Sequence, residues 1–457
     1  MSPKSLKYIS PGVIAFLVSL LCLQEVAVFA MPPVQKIVLS NGLVLLFSED
    51  HTLPFVTLQL LIDCGARRDP PGEEGLSHLT ARALPLGTTA GRTSSDINEE
   101  LDSMGASLAA SSGRDYTTVN FRSLKKDLDK GLHLFTEVIT GAAFPRKEIE
   151  QEVKKTLAAI QSSEDQPGEV AERTFRKALF LSGPSAHPVE GTKESVKGIT
   201  REKIMHFYRA FYHPNNAILT VVGDVTAEDV KARISPLLEK WKSGEAPSTS
   251  QESTFAKGPK TVKIDRQITQ ANIILGNEGI SRQNPDFYAL SVMNYVLGGG
   301  GFASRLVEEI RDKRGLAYSV MSFFDSGKYP GSFQVVLQTK NASASDAISL
   351  VLKEMERIRD NPISEKELEG AKKYLIGSFP LRLDTQAKRA TFLNQIEYFG
   401  LGLEYPERYP SLVRAITREE VQRVAKTYLH DDKYVLVIVA NLKETGIDSG
   451  AESRENR

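Results

Sequence analysis

His78 and Arg82 are the first residues whose types and spacing bear on chemistry. They lie four positions apart in the stretch Gly75-Leu76-Ser77-His78-Leu79-Thr80-Ala81-Arg82, so a helix would place both side chains on one face. In the metal-binding pattern His-x-x-Glu-His, two imidazoles at this spacing bind zinc and the Glu acts as a general base. Here Ala81 stands at the base position and Arg82 at the second ligand position. Because a guanidinium has no lone pair for a metal, the sequence predicts a metal-binding helix that has lost its chemistry.

The overall composition predicts a globular protein. The chain has 457 residues, of which 41% are hydrophobic, and this length suits two to four domains. It carries 57 basic and 57 acidic residues. The chain therefore has no excess of positive charge to attract nucleic acid, and we expect no nucleic-acid partner.

The first 30 residues are typical of a secretory signal peptide. Lys4 and Lys7 precede an apolar run, and Ala30 ends the segment with a small residue. We expect cleavage after Ala30, export to the periplasm and no stable membrane span in the mature chain. A retained membrane anchor is the alternative, although the apolar run is short for a span. Cleavage would leave Cys64 as the only cysteine, and hence no internal disulfide.

Several stretches predict the elements that hold the motif. Asn41-Gly42 between two apolar runs predicts a hairpin, and residues 55–63 predict a further strand. Ser94 or Ser95 can cap a helix. Residues 106–112 are small and polar, residues 116–124 predict a strand, and Pro145 predicts the start of a long helix that reaches Ile160.

The second half of the chain repeats the first. Three segments recur at offsets of 217 to 219 positions; they are 199–202 and 416–419, 218–224 and 435–441, and 147–150 and 366–369. Three matches in register indicate a duplicated α+β unit, in which helices pack on a mainly antiparallel sheet. We predict domains at 34–242 and 260–443, joined by the Ser- and Pro-rich linker 243–259 and followed by a disordered tail, 444–457.

With these features the sequence resembles the insulinase/pitrilysin family of inverzincin metallopeptidases, and within it bacterial proteins similar to the noncatalytic subunit of mitochondrial processing peptidase. The resemblance covers nearly everything after residue 34. The residues that carry it are Leu39-Ser40-Asn41-Gly42-Leu43, Arg68-Asp69-Pro70-Pro71, Gly75-Leu76-Ser77-His78, Gly87-Thr88, His187-Pro188, Val222-Gly223-Asp224-Val225, Leu297-Gly298-Gly299-Gly300 and Arg311-Asp312-Lys313-Arg314-Gly315-Leu316-Ala317-Tyr318. It implies two homologous α/β-roll domains that face a central chamber.

The zinc site that the family implies is degenerate in this sequence. The third family ligand, a Glu on the long helix, falls at Ala158 or Ala159. The degenerate positions are thus His78, Ala81, Arg82 and Ala159, and we expect no metal on this chain and zinc on a partner chain. We further expect Arg82 to take the place of a metal cation and to pair with Glu152.

Two other family features are retained. The resemblance implies that Arg311 and Tyr318 hold the substrate carbonyl and stabilise the oxyanion, a role that suits a cation and a phenol O–H. The glycine run Gly298, Gly299, Gly300 and Gly301 resembles a loop that handles substrate, with a plain helix-entry turn as the alternative. Residues Ala106, Ser107, Leu108 and Ala109 resemble an edge strand that pairs with an extended peptide, with an ordinary protected edge as the alternative.

The leading hypothesis is a noncatalytic, peptide-binding subunit of an exported zinc metallopeptidase heterodimer, inactive alone. It would supply Arg311 and Tyr318 in trans to a catalytic zinc subunit of the same family. One alternative is an active zinc endopeptidase with atypical ligands. Another is a structural homodimer similar to the core subunits of the respiratory bc1 complex.

Overall fold

The computed structural model of the protein describes residues 32–247 and 253–447. The expected signal peptide, most of the tail and part of the expected linker lie outside these residues. Thirteen strands, labelled in chain order, are seen in this part of the chain; they are β1 Val34–Val38, β2 Val44–Glu49, β3 Phe55–Ile62, β4 Ser107–Ser112, β5 Thr117–Leu124, β6 Phe180–Ser182, β7 Ala217–Gly223, β8 Thr254–Phe255, β9 Lys260–Asp265, β10 Gln270–Glu278, β11 Ala317–Asp325, β12 Ser332–Lys340 and β13 Val435–Ala440.

The strands form two large sheets of the same topology. The first has the spatial order β1-β2-β7-β3-β5-β4, and the second has the order β11-β12-β10-β13-β9. Reversed, the second sheet matches the first strand by strand, except that β1 has no counterpart. In each sheet one pair is parallel, β2 with β7 and β9 with β13, and the others are antiparallel. The predicted fold class, a duplicated α+β unit with mainly antiparallel sheets, is confirmed.

Helices cover both sheets. The α-helices of the described residues are Leu76–Ala83, Ser94–Met104, Leu128–Thr140, Arg146–Glu164, Pro167–Leu179, Lys193–Lys197, Arg201–Phe211, Ala227–Asp229, Ser235–Leu238, Phe287–Asn294, Ala344–Asp360, Glu365–Ser378, Gln386–Tyr398, Tyr405–Arg414 and Arg418–Tyr428. Wider π-type turns occur at Val230–Ile234, Tyr295–Gly299 and Val307–Asp312. Short 3-10 turns occur at Ala66–Arg68, Leu84–Leu86, Lys125–Asp127, Pro214–Asn216, Gly301–Ala303, Asn341–Ser343, Phe379–Arg382 and Leu442–Glu444. None of the helices in these described ranges combines the length and the apolar character that a membrane crossing requires.

Local sequence accounts for most element ends. The Asn41-Gly42 turn joins β1 and β2 as an antiparallel pair, with Gly42 at φ 86°, as predicted. Thr200 and Thr417, which the repeat places in register, cap equivalent helices by accepting a backbone N–H three residues on. The cap predicted at Ser94 or Ser95 is wrong by one position, because Thr93 forms a reciprocal capping box with Asp96.

Two helices are exchanged between the halves. Pro167–Leu179 packs on β10 and β13 of the second sheet, and Gln386–Tyr398 packs on β3 and β7 of the first. Their first residues and their last residues are both 219 positions apart, 167 with 386 and 179 with 398. They are therefore equivalent elements of the repeat, and each packs on the sheet of the other half. We call them the exchanged helices.

Candidate functional site

The helix Leu76–Ala83, which we call the motif helix, carries the degenerate metal motif. It buries Leu76, Leu79 and Ala83 against the helices Arg201–Phe211 and Arg146–Glu164. Its first turn is held by a buried carboxylate. The two oxygens of Asp69 accept the N–H groups of Gly75 at 2.8 Å and Ser77 at 2.7 Å, which satisfies donors that a helix start leaves unpaired.

The motif helix turns Arg82 toward the long helix Arg146–Glu164. Nε of Arg82 donates to Oε1 of Glu152 at 2.7 Å, and Nζ of Lys155 lies 3.4 Å from Oε2 of the same carboxylate. The side chain of Glu152 is 5% exposed and that of Arg82 is 50% exposed. The predicted pairing of Arg82 with Glu152 is confirmed. A buried carboxylate that faces the second ligand position is thus already neutralised by a protein cation.

His78 keeps the first ligand position but not the surroundings of a ligand. It is partly buried one helical turn before Arg82. Burial lowers the pKa of His78, and the charge of Arg82 lowers it further. Ala81, at the base position, is fully buried and has no titratable group. Arg82 therefore favours a neutral imidazole at His78.

The long helix offers no third ligand. Ala159 lies two helical turns after Glu152 on the same face, and it is exposed at the wall of a cavity of about 400 Å³ that Glu190 also lines. In the described ranges no group of three or more His, Cys, Asp or Glu side chains could hold a metal ion. Catalytic zinc needs three protein ligands, so the residues present do not fit a resident zinc ion.

Arg311 and Tyr318 are both exposed in the second half. Arg311 ends the turn Val307–Asp312, and its guanidinium lies 4.9 Å from the centre of the Phe302 ring. Tyr318 lies in β11, the edge strand of the second sheet, where a bulge leaves it without a partner in the ladder. Tyr318 is 74% exposed and Phe302 is 73% exposed. Both groups of the pair are therefore presented to solvent.

The glycine run packs against the same strand. Gly298 is buried, and a Cβ there would lie 2.7 Å from the backbone nitrogen of Ser322 in β11. Gly301 adopts φ 56°, which favours glycine. Gly298 and Gly299 end the helical segment that begins at Phe287, and Gly301 opens the turn Gly301–Ala303, so the run joins two helical segments. With Arg311 and Met321 the run lines a cavity of about 470 Å³.

The segment Ala106–Ala109 has the geometry of an edge strand. Ser107, Leu108 and Ala109 belong to β4, which pairs only with β5 and leaves its other side open. Ala106 immediately precedes it. The motif helix packs beside β4, so this open edge and the degenerate motif are neighbours.

A cavity of about 1020 Å³ that the sequence motifs do not predict lies between the halves. Its floor is the outer face of β3 and β5, where Gln59 and Asn120 lie, and Ser107 lies at its rim. One exchanged helix, Gln386–Tyr398, forms a wall. A signal was present, because Asn120 and Arg122 alternate with the buried Phe121. This pattern gives β5 a polar second face.

Charged and polar contacts close one side of this cavity. Asp63 accepts hydrogen bonds from the Tyr398 hydroxyl at 2.8 Å and from Lys328 Nζ at 2.7 Å. Asp115 accepts the backbone N–H of Lys328 at 2.8 Å and pairs with Arg67. These contacts fix a loop of the second half against two loops of the first.

Two family models match adjoining parts of the chain. Residues 44–193 match the model described as insulinase, peptidase family M16, and residues 198–375 match the model described as peptidase M16 inactive domain. This chain belongs to peptidase family M16. The M16 models meet between β6 and β7, so they divide the first sheet rather than separate the two sheets.

Individual M16 relatives match over most of their length. A protein from Streptomyces coelicolor named as an uncharacterized zinc protease is 27% identical over 390 residues, which is 83% of this chain and 84% of the relative. A Helicobacter pylori protein named non-peptidase homolog YmxG is 26% identical over 400 residues, with coverage of 87% and 92%.

Solved structures share the fold. A structure titled as the peptidase M16 inactive domain from Pseudomonas fluorescens superposes with a TM-score of 0.83 at 28% identity, covering 89% of this chain and 98% of that one. A structure titled as a protease from Helicobacter pylori has a TM-score of 0.83 at 20% identity and supports the fold alone.

Proposed function

We propose that this M16 chain is the noncatalytic, peptide-binding subunit of an exported zinc metallopeptidase, which works as a heterodimer with a catalytic subunit of the same family. The single observation that carries the proposal is the ion pair of Arg82 with Glu152. It places a guanidinium where the family motif has a metal ligand. Among the described residues, this arrangement supplies no metal site that could bind and activate a water molecule for hydrolysis.

The absence of the general base also supports a chain that is inactive alone. A zinc-bound water in a metallopeptidase transfers its proton to a Glu in the His-x-x-Glu-His frame. Ala81 at that position is a buried methyl group packed in the motif helix. Even a metal ion recruited at His78 would lack this proton acceptor. The name non-peptidase homolog borne by a relative that spans 87% of this chain is consistent with inactivity.

The exposure of Arg311 and Tyr318 supports action in trans. Neither side chain lines the large cavity between the halves, and both face outward beside the edge strand β11. Phe302 and Met321, also exposed, line one cavity with Arg311. An exposed apolar patch around two polar groups suits a surface that a second subunit covers. There a cation and a phenol O–H would stabilise the oxyanion formed on the partner's substrate.

The open edge of β4 supports the peptide-binding role. An extended peptide can add to such an edge through main-chain hydrogen bonds, largely regardless of its sequence. Small residues such as Ala109 leave the edge accessible. Export rests on residues 1–30, whose composition is typical of a signal peptide.

The first experiment measures zinc content and peptidase activity on the same sample of purified mature chain. We expect zinc well below one ion per chain and no hydrolysis of a quenched fluorescent peptide library. Hydrolysis should begin when an M16 chain with an intact His-x-x-Glu-His motif is added as the catalytic subunit. Stoichiometric zinc together with chelator-sensitive hydrolysis by the chain alone would overturn the proposal in favour of an active endopeptidase.

A matched pair of variants tests the role in trans. Tyr318→Phe removes one hydroxyl and should lower kcat of the reconstituted pair about 100-fold, the effect of losing an oxyanion donor. Tyr374→Phe removes a hydroxyl from another tyrosine of the second half, 55% exposed, and should leave kcat unchanged. Equal activity of both variants would exclude Tyr318 from the reaction. If size-exclusion chromatography shows a homodimer that forms no complex with the catalytic chain, the structural alternative would be favoured.

A further inference from the structure

The two exchanged helices are equivalent in the repeat but differ in chemistry. Pro167–Leu179 presents Phe175 and Leu179 to the second sheet, where they join an apolar cluster with Ile274 and Val437. Gln386–Tyr398 buries Ala390, Leu393 and Ile396, but it also meets the first sheet through buried polar groups.

The polar contacts of Gln386–Tyr398 are specific. Nδ2 of Asn394 donates to the backbone oxygen of Gln59 at 2.9 Å, and Thr220 donates its hydroxyl to Oδ1 of Asn394 at 2.7 Å. Arg389 of the same helix pairs with Asp50. The contact of Gln386–Tyr398 with the first sheet therefore includes a buried polar network, whereas the cluster that Pro167–Leu179 forms on the second sheet is apolar. The cavity of about 1020 Å³ lies beside this polar contact.

Arginine dominates the charges that line this cavity. Four of its arginines have no carboxylate oxygen within 4.0 Å in the described part of the chain; they are Arg114, Arg122, Arg282 and Arg382. Its two carboxylates, Asp115 and Asp325, are already paired with arginines outside the lining, Arg67 and Arg176. The remaining cation, Lys388, pairs with Asp384.

Aromatic rings hold these arginines in place. The guanidinium of Arg122 lies 4.0 Å from the centre of the Phe55 ring, and that of Arg282 lies 3.8 Å from the centre of the Phe287 ring. A stacked guanidinium keeps its in-plane N–H donors free, and these donors match a carboxylate in a bidentate arrangement. The whole protein has equal numbers of acidic and basic residues. The group of arginines without a paired carboxylate therefore reflects a local excess of positive charge at this cavity.

Arg114 is the most confined of the four. Its Nη1 donates to the backbone oxygens of Pro184 at 3.0 Å and His187 at 3.2 Å, both neutral acceptors. Burial lowers the pKa of Arg114 to about 9 and the neighbouring charge of Arg176 contributes, while the charges of Asp325 and Asp115 act in the opposite direction. An anion beside Arg114 would relieve this unfavourable burial of charge.

We propose that this cavity binds the acidic side chains of an extended peptide, with Arg114 and Arg122 as the principal carboxylate-binding groups. The proposal deepens the proposed function, on which it rests for the choice of a peptide. Ser107 places the open edge of β4 at the cavity rim, so one ligand could pair with the edge and send carboxylates into the cavity. A cavity of about 1020 Å³ is at the upper limit for a small ligand and suits several residues of a peptide.

The test measures fluorescence anisotropy of short labelled peptides titrated with the purified mature chain. One peptide alternates Glu with Ala, and its matched control alternates Gln with Ala. We expect the Glu peptide to bind at least tenfold more tightly and its affinity to fall as salt is added, because the interaction is between charges. Equal binding of the two peptides would overturn the proposal. Tighter binding of a labelled single-stranded oligonucleotide would overturn the choice of a peptide.

Two variants locate the binding. Arg114→Gln should weaken binding of the Glu peptide about tenfold, as expected for the loss of one charge-assisted pair. Since Arg114 is confined, Arg122→Gln provides an exposed position in the same cavity with the same expected effect. Arg408→Gln, an exposed arginine paired with Glu404 outside the cavity, should bind as the unchanged protein does. Undiminished binding by Arg122→Gln would overturn the assignment.

Failure here is distinguishable from failure of the proposed function. The peptide titration uses this chain alone, whereas reconstitution uses the catalytic chain and a quenched peptide library. If Glu and Gln peptides bind equally while reconstitution succeeds, the subunit role stands and the acidic preference falls. If reconstitution fails while the Glu peptide binds selectively, the chain is a peptide-binding protein without that partner.

Discussion

Arg82 donates a hydrogen bond of 2.7 Å to Glu152, and this contact ties the motif helix to the long helix where an M16 peptidase would place its metal. The pair explains how the first half can keep the family packing without zinc. A carboxylate with 5% of its side chain exposed would be unfavourable without a cation. The guanidinium supplies that cation, so the loss of metal need not loosen the two helices.

Arg82→Ala should therefore destabilise the protein. It leaves Glu152 buried with only Lys155 nearby, at 3.4 Å. Breaking a fully buried pair costs about 3–5 kcal/mol, and because Arg82 is half exposed we expect a loss of about 1–2 kcal/mol in the free energy of unfolding. Urea denaturation followed by circular dichroism measures it.

Two further variants control this measurement. Glu152→Gln added to Arg82→Ala removes the buried charge and should restore most of the lost stability. Arg146→Ala breaks an ion pair with Glu202 that is exposed on both sides, and it should change stability little. If Arg82→Ala unfolds at the same urea concentration as the unchanged protein, the pair is not what holds the two helices.

His78 should make the first half sensitive to acid. Burial and the charge of Arg82 lower its pKa in the folded state below the ordinary value of 6.5, so the unfolded chain binds a proton more readily. Stability is then lost as the pH falls below about 6.5 toward the folded-state pKa. His78→Gln should remove this part of the pH dependence, as measured by urea denaturation between neutral and mildly acidic pH.

Imidazole titration by NMR gives an independent check on His78. In Arg82→Ala the nearby cation is gone while Glu152 remains, so the pKa of His78 should rise relative to the unchanged protein. A pKa that stays the same in this variant would show that Arg82 does not lower it.

Two substitutions should return a metal site to the motif helix. Arg82→His supplies the second imidazole one turn after His78, and Ala159→Glu supplies a carboxylate on the face of the long helix that carries Glu152. Three ligands suffice for zinc, so we expect about one zinc ion per chain in the double variant, measured by mass spectrometry. The control Arg82→Gln, made without Ala159→Glu, leaves His78 and Glu152 as the only two candidate ligands and should stay near the level of the unchanged chain. An empty double variant would show that the two helices have moved from the metallopeptidase geometry.

Two glycines of the second half should respond to alanine in opposite directions. A Cβ at Gly298 would lie 2.7 Å from the Ser322 backbone nitrogen and 2.8 Å from a Leu306 methyl carbon. Gly298→Ala should therefore lower the free energy of unfolding by about 1–3 kcal/mol. Gly370 lies exposed within Glu365–Ser378 with open space around it, and Gly370→Ala should raise stability by about 0.5–1 kcal/mol. Urea denaturation of both variants tests this. Equal stability would mean that Gly298 has room for a side chain.

Much of the fold could be predicted because its signals are local or periodic. The Asn41-Gly42 hairpin follows from two residues, and the repeat follows from short segments such as 199–202 and 416–419. The helix cap at Thr93 was missed because three successive residues can all cap a helix. The exchange of Pro167–Leu179 and Gln386–Tyr398 left no local trace, because an amphipathic pattern shows that a face is buried without showing which sheet buries it.

The candidate site also has features that could be predicted from the sequence and features that could not. The pairing of Arg82 with Glu152 could be predicted because both residues lie in one family frame. The outward position of Tyr318 could not, since a bulge in β11 sets it. The cavity arginines were missed because Arg114 and Arg282 are far apart in sequence, and only the packing of the two halves brings them together.

The exchanged helices determine the order in which the two halves can complete their folding during synthesis. The last strand of the first sheet, β7, ends at Gly223, and the helix that covers this sheet begins 163 positions later, at Gln386. At about 5–20 residues per second, synthesis of the intervening chain takes roughly 8–33 s. Through that interval one face of the first sheet has no cover of its own. If synthesis stopped after residues 34–242, the released chain would lack the helix that covers its sheet and would not be an independent domain. Neither half could therefore be inherited, expressed or lost without the other.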